Sequence, residues 1–156
     1  MSRDERVKYM LALKERLVRE SRTDLLRFTL STMPTFDPAD FHRRYYGVLT
    51  RFAHKEIKKL MVFMPPQHGK SEGSTRRLPS FILGERPDTR IAIVSYNAPK
   101  ARKFNREIQR IIDTPEYQEI FPETHLNSSN VTTVAGSWLR NADECEIVGH
   151  LGGFKT

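Results

Sequence analysis

The fold prediction depends on one stretch of the chain, Leu60-Met61-Val62-Phe63-Met64-Pro65-Pro66-Gln67-His68-Gly69-Lys70-Ser71. It begins with five consecutive apolar residues, a run typical of a strand that is buried on both faces of a parallel sheet. Two prolines end this run, and a Gly-Lys-Ser triplet follows where a helix is expected to begin. The last three positions match the phosphate-binding motif Gly-x-x-x-x-Gly-Lys-Ser/Thr, but Met64 stands in place of its first glycine.

The position of the triplet favours a phosphate site for physical reasons. Backbone N–H groups at a helix N-terminus point toward a bound anion, and the helix dipole favours negative charge there. Gly69 allows close approach of the backbone, Lys70 can reach the β- and γ-phosphates, and the Ser71 hydroxyl can bind Mg²⁺. A polar strand-to-helix turn that contains a lysine by chance is the structural alternative.

The residues that follow extend a strand–helix–strand pattern. We predict a helix from Lys70 to about Leu83, kinked at Pro79, and a second buried strand over residues 90–95. Residues 98–112 form an amphipathic helix, because their apolar and basic side chains occupy opposite arcs. The pattern predicts an α/β fold with a P-loop NTPase-like parallel sheet core that is incomplete.

The remaining segments are predicted to be mostly helical. Helices are expected over residues 4–20 and from Thr23 to Thr32, and a third from an Asp37 N-cap, with Pro38 at its first position, to about His54. We therefore divide the chain into an N-terminal helical region (1–56) and a P-loop ATPase core (57–156). Within the core, a helical turn over 115–121 and short strands after Val131 complete the prediction.

Charge and composition narrow the functional classes. The chain of 156 residues carries 26 Lys and Arg against 19 Asp and Glu, and residues 1–112 hold 24 of those basic residues. This basic part could face a polyanion, although solvated helices are often rich in Lys and Arg. Cys145 is the only cysteine, so an internal disulfide is excluded. No apolar run approaches the roughly 20 residues that span a bilayer.

The loop resembles a known family. Pro65-Pro66-x-His68-Gly69-Lys70-Ser71 after an apolar strand is similar to the variant phosphate loop of the tailed-phage (prophage) terminase large subunit. The resemblance covers about residues 36–156, but it is specific only in the loop. Looser support comes from Phe41-His42 and residues 60–64, Pro87–Tyr96, Lys103–Ile108, Ile112–Tyr117 and Phe121-Pro122.

The resemblance implies an ATPase that couples ATP hydrolysis to translocation of double-stranded DNA. Lys70 would be the catalytic residue on the phosphates, Gly69 would help hold ATP, and Ser71 would bind the Mg²⁺ of ATP. The other residues that would line the nucleotide are Pro66, Gln67 and His68. We expect His68 to pack or to form hydrogen bonds rather than to act as a base. The implied partners are double-stranded DNA, a small terminase subunit, a portal or procapsid and further copies of the chain, in the host cytoplasm and with no membrane.

Two elements of such an ATPase are not found in the sequence. The loop has no arginine that could stabilise the transferring phosphate. Asp143-Glu144 is the only adjacent acidic pair after the second strand, and no apolar strand precedes it, so we do not interpret it as the Walker B site. The chain is therefore expected to be truncated before the Walker B strand and to be inactive alone.

Two other functional classes are retained. One is a different P-loop enzyme, such as a helicase-like ATPase or a small-molecule kinase. The other is a basic nucleic-acid-binding module in which Gly-Lys-Ser is accidental. The basic face formed by Lys100, Lys103, Arg106 and Arg110 could contact DNA or could simply be solvated.

Overall fold

The computed structural model describes residues 2–132 and 138–156, which form a mixed α/β structure. Its helices are α1 (Arg3–Ser21), α2 (Leu25–Thr32), α3 (Asp40–Ala53), α4 (Leu78–Glu85), α5 (Ala98–Ile112) and α6 (Pro115–Ile120). Its strands are β1 (Arg90–Ala92), β2 (Glu144–Glu146) and β3 (Gly153–Lys155). A π-helical segment, Glu72–Arg77, runs directly into α4.

Most of the predicted helices are confirmed, and their ends have clear causes. The Asn97 side chain accepts a hydrogen bond from the Lys100 N–H and caps α5, while the Asp24 side chain caps α2 in the same way. The helix predicted to be kinked at Pro79 changes to π geometry just before that residue. Proline cannot donate the α-helical bond and crowds the preceding turn, so a widened turn accommodates it.

The predicted start of α3 is wrong. The helix begins at Asp40 rather than after an Asp37 cap, and Pro38 lies outside it. The extended residue before the helix is Ala39, whose N–H donates to Nδ1 of His42 at 3.2 Å. This bond from the backbone to an imidazole in the first turn takes the place of an aspartate cap.

The sheet is mixed rather than purely parallel, which corrects part of the fold prediction. Its strand order is β1-β3-β2; β1 and β3 are parallel, whereas β2 and β3 are antiparallel. Residues 90–95 were predicted to be buried on both faces, but only Ile93 is buried in that segment. Short strands after Val131 are confirmed as β2 and β3; the part of this prediction on residues 133–137 lies outside the described residues.

The predicted strand over residues 60–64 is also wrong in this structure. These residues form no strand, and the side chains of Met61 and Phe63 are 79% and 86% exposed. A continuous apolar run is buried on both faces only when neighbouring strands and covering helices lie against it. Within the described residues, no strand pairs with this segment.

The hydrophobic core draws on both the N-terminal helices and the later elements. Phe28 of α2 contacts Phe81 of α4, with ring centroids 5.7 Å apart. It also lies 5.9 Å from the rings of Tyr117 and Phe121. These aromatic rings fix α2 against α4 and α6, and α3 packs beside them. Among the described residues, none of the helices combines the length and the hydropathy of a membrane span.

Candidate functional site

The predicted phosphate loop is a tight turn that contains two residues with positive φ. Gln67 has φ 63° and Gly69 has φ 76°. Glycine adopts this conformation without penalty, whereas glutamine does so at a cost of roughly 1 kcal/mol. The surrounding contacts must therefore hold Gln67 in place. Its two neighbours, Pro66 and His68, are joined by a hydrogen bond.

His68 is one of these neighbours. Its Nδ1 donates to the Pro66 carbonyl oxygen at 2.7 Å, closing the turn across Gln67. The imidazole ring also lies 5.8 Å from the ring of Phe41, at the start of α3. These contacts give His68 a structural part in the loop, as the sequence suggested.

The helix that follows the loop begins with the residues predicted to bind phosphate. Residues 70 and 71 are already helical, and the Gly73 N–H closes the first turn by donating to the Gly69 carbonyl at 3.1 Å. The backbone N–H groups of residues 67–71 form no backbone hydrogen bond with the described part of the chain. These free donors lie at a helix N-terminus, where the helix dipole favours an anion.

The side chains of Lys70 and Ser71 point to the same conclusion. Both are half-buried, and neither forms a hydrogen bond or an ion pair with any described residue. A half-buried ammonium group and a hydroxyl at the start of a helix are thus available to a ligand. Gln67, Gly69, Lys70 and Ser71 lie together at one turn because all four belong to the same short stretch, residues 67–71.

Helix α3 supports this turn from behind, which the sequence did not reveal. The Tyr45 hydroxyl donates to the Lys70 carbonyl oxygen at 2.8 Å, and Ser74 donates to the same oxygen. A Cβ at Gly73 would lie 2.7 Å from Cε1 of Tyr45, so glycine is needed for this close approach. Nothing in the sequence signals a contact between residues 25 positions apart.

His42 lies directly behind the loop glycine. A Cβ at Gly69 would meet Nε2 of His42 at 3.2 Å, which leaves little room for a larger residue. The ring of Phe41 stacks on His42 with centroids 3.9 Å apart. Tyr45 and Tyr46, which follow in α3, are buried, whereas the side chain of Phe41 is exposed.

An ion-pair network follows the loop along the π-helical segment. Glu72 accepts from Arg77 at 2.7 Å and from Arg76 at 2.6 Å. Arg76 also donates to Glu107 of α5 at 2.6 Å. Burial alone would raise the pKa of Glu72, but the bonds and charges of Arg77 and Arg76 outweigh it and lower that pKa below its usual value.

This network has a consequence for the missing arginine. Arg76 and Arg77 are the arginines closest to the loop in sequence, and both are paired with carboxylates. Neither is free to stabilise a phosphate while these pairs persist. Sequence reasoning missed the network because Arg76 and Glu107 are 31 residues apart.

The rejected acidic pair has structural partners. Asp143 accepts from Arg102 at 2.6 Å, and Glu144 on β2 lies 3.2 Å from the Lys155 ammonium group on β3. No group of three or more His, Cys, Asp or Glu side chains in residues 2–132 and 138–156 is placed to hold a metal ion. The candidate site therefore consists of the loop, its helix and the supporting side chains of α3.

Comparisons of the chain with protein-family models, with curated proteins and with solved structures find no match.

Proposed function

We propose that this chain is the ATP-binding part of a DNA-packaging ATPase of the terminase large-subunit type. The observation that carries the proposal is the loop over residues 66–71. At the start of a helix it combines backbone N–H groups, a lysine side chain and a serine side chain that have no partner among residues 2–132 and 138–156. This combination suits a polyphosphate better than a neutral ligand.

The residues present fit ATP and Mg²⁺. The backbone N–H groups of residues 67–71 would hold the phosphate oxygens, and the Lys70 ammonium group would contact the β- and γ-phosphates. The Ser71 hydroxyl would bind Mg²⁺, which when bound neutralises the charge of the phosphates. Pro66 and His68 would keep the loop closed through the bond between His68 Nδ1 and the Pro66 carbonyl.

We expect binding without appreciable hydrolysis. Glu72 follows Ser71 directly, but its two oxygens are bonded to Arg77 and Arg76, so it is not free to orient water. In the terminase interpretation the implied partners are double-stranded DNA, a small terminase subunit, a portal or procapsid and further copies of the chain, in the host cytoplasm. These partners are proposed because the loop resembles that of the terminase large subunit.

The test is thermal unfolding with and without ATP and Mg²⁺. A ligand that binds only the folded chain at ten times its Kd stabilises it by about 1.4 kcal/mol, which corresponds to a rise in Tm of about 3–6 °C. Lys70→Ala removes a charged partner worth roughly 1.5–3 kcal/mol, so affinity should fall about 10- to 100-fold. Lys59→Ala, at an exposed lysine outside the loop, is the matched control.

The outcomes separate the candidate functions. A shift in Tm that Lys70→Ala largely removes and Lys59→Ala preserves supports the proposal. Rapid phosphate release by this chain, lost in Lys70→Ala, would contradict the expected lack of hydrolysis. Absence of any shift, together with tight DNA binding, would favour the basic nucleic-acid-binding module, for which the net charge of +7 is the supporting observation.

A further inference from the structure

The exposed side of α5 carries a row of basic side chains with few competing charges. Lys103, Arg106 and Arg110 are all exposed on this side. Within the described residues, Arg106 and Arg110 form no ion pair, and Lys103 has only a weak one, 4.0 Å from Glu107. Arg102, next to the row, is already paired with Asp143.

The acidic groups near the row are neutralised by other partners. Glu107 accepts from Arg76 at 2.6 Å on the side that faces the π-helical segment. Asp113, at the end of α5, is held by the Arg140 guanidinium. The three basic side chains of the row therefore present their charge to solvent rather than to carboxylates of this chain.

The chemistry of the row favours a phosphate backbone over a protein partner. The apolar side chains of α5 (Ala101, Phe104, Ile108, Ile111 and Ile112) are all buried, so the row offers no aliphatic or aromatic anchor. Protein interfaces take most of their affinity from such buried anchors. The groups beside Arg106 and Arg110 include the neutral polar side chains of Asn130, Thr132 and Asn141 and the paired charges of Asp113 and Arg140.

The same features favour a duplex over a single strand. Proteins bind single strands by stacking bases on aromatic side chains, and the row contains none. At a rise of 1.5 Å per residue, the seven steps from Lys103 to Arg110 span about 10 Å. This length matches about three phosphates of one strand along a duplex axis, at roughly 3.4 Å each.

We infer that Lys103, Arg106 and Arg110 on α5 form a docking surface for the phosphate backbone of duplex DNA, bound without regard to sequence. The inference rests on the proposed function in one respect, namely that the duplex is DNA. The surface lies on α5, whereas the proposed nucleotide site lies at the start of the helix that contains the π-helical segment. The two sites can therefore be tested separately.

The experiment measures binding of a fluorescent 30-base-pair duplex by anisotropy between 50 and 200 mM salt, without nucleotide. The α5 variant carries Lys103→Gln, Arg106→Gln and Arg110→Gln. The control carries Arg3→Gln, Arg6→Gln and Lys8→Gln on the exposed first turns of α1, so both variants lose three positive charges. Thermal unfolding confirms that both are folded.

We expect the salt dependence of binding to weaken only in the α5 variant. Each lost phosphate contact lowers the slope of log K against log salt by about 0.9, so three contacts lower it by roughly 2.7. The control should keep the slope of the unmodified chain. Equal losses in both variants would show a diffuse effect of net charge and would overturn the inference.

Two further results would also overturn it. Equal affinity for a single strand of the same length would exclude preference for a duplex. Binding of polyglutamate in place of duplex DNA would indicate an acidic protein partner. The DNA titration contains no nucleotide, so its result does not depend on whether ATP raises the Tm. Likewise, a lack of DNA binding at α5 would not contradict a rise in Tm caused by ATP.

Discussion

At the scale of single residues, two buried tyrosines have hydroxyl groups in opposite situations. Tyr117 donates to the Ser80 carbonyl oxygen at 2.9 Å. The Tyr46 hydroxyl is buried and has no hydrogen-bond partner among the described residues. Burying a hydroxyl without a partner costs about 1–3 kcal/mol, whereas a satisfied one contributes about 1 kcal/mol.

This contrast gives a matched pair of substitutions. Tyr46→Phe should raise the free energy of unfolding by about 1 kcal/mol, and Tyr117→Phe should lower it by about the same amount, as measured by urea denaturation at pH 7.

Burial raises the pKa of Tyr46 to about 12. The stability linked to this raised pKa is present below about pH 10 and is lost as pH rises toward 12, so Tyr46→Phe should also reduce alkaline destabilisation. A loss of stability in Tyr46→Phe equal to that in Tyr117→Phe would contradict this interpretation.

At the scale of elements, the ion pair between Arg76 and Glu107 joins the π-helical segment to α5. Glu72 accepts from both Arg77 and Arg76, and Arg76 continues to Glu107 on α5. Replacing one carboxylate in this partly buried network leaves charges unpaired. This loss costs more than breaking an exposed pair.

Glu72→Gln should therefore lower the free energy of unfolding by about 2–3 kcal/mol at pH 7. The pKa of Glu72 is lowered in the folded chain, so its contribution is present above the unfolded pKa and is lost as pH falls through the folded value. The difference between the two proteins should thus shrink in urea titrations below about pH 4. Glu56→Gln, at the exposed pair with Arg51, is the control and should cost less than about 1 kcal/mol. An equal loss of unfolding free energy in both variants would mean that Glu72 stabilises the fold no more than an exposed ion pair does.

The elements also show what the sequence could and could not predict. The bounds of α5 were predicted correctly because its apolar and basic residues alternate with helical period. Residues 60–64 were mispredicted because an apolar run does not reveal whether neighbouring strands will pair with it. The position of Gly69, Lys70 and Ser71 at the start of a helix was predicted from consecutive residues, whereas the bond from Tyr45 to the Lys70 carbonyl depends on tertiary packing alone.

At the scale of the whole molecule, the apolar surface is unevenly distributed. Met61 and Phe63 are exposed on the segment before the loop, and Val94 and Tyr96 are exposed just after β1. Exposed apolar side chains of this size favour association between chains. The aromatic core, in contrast, joins the N-terminal helices to the elements that follow the loop.

The same core determines whether residues 1–56 and 57–156 unfold together. Phe28 of α2 packs against Phe81 and Phe121, which lie after the loop. Phe28→Ala should cost about 3–5 kcal/mol and should speed amide hydrogen exchange in α2, α4 and α6 alike, because all three share its contacts. Phe63→Ala, at an exposed phenylalanine, should leave these exchange rates unchanged. Faster exchange confined to α2 would mean that the helical region opens independently. Equal acceleration in all three helices would mean that the described chain unfolds as one cooperative unit, in which the loop over residues 66–71 depends on packing that begins at α2.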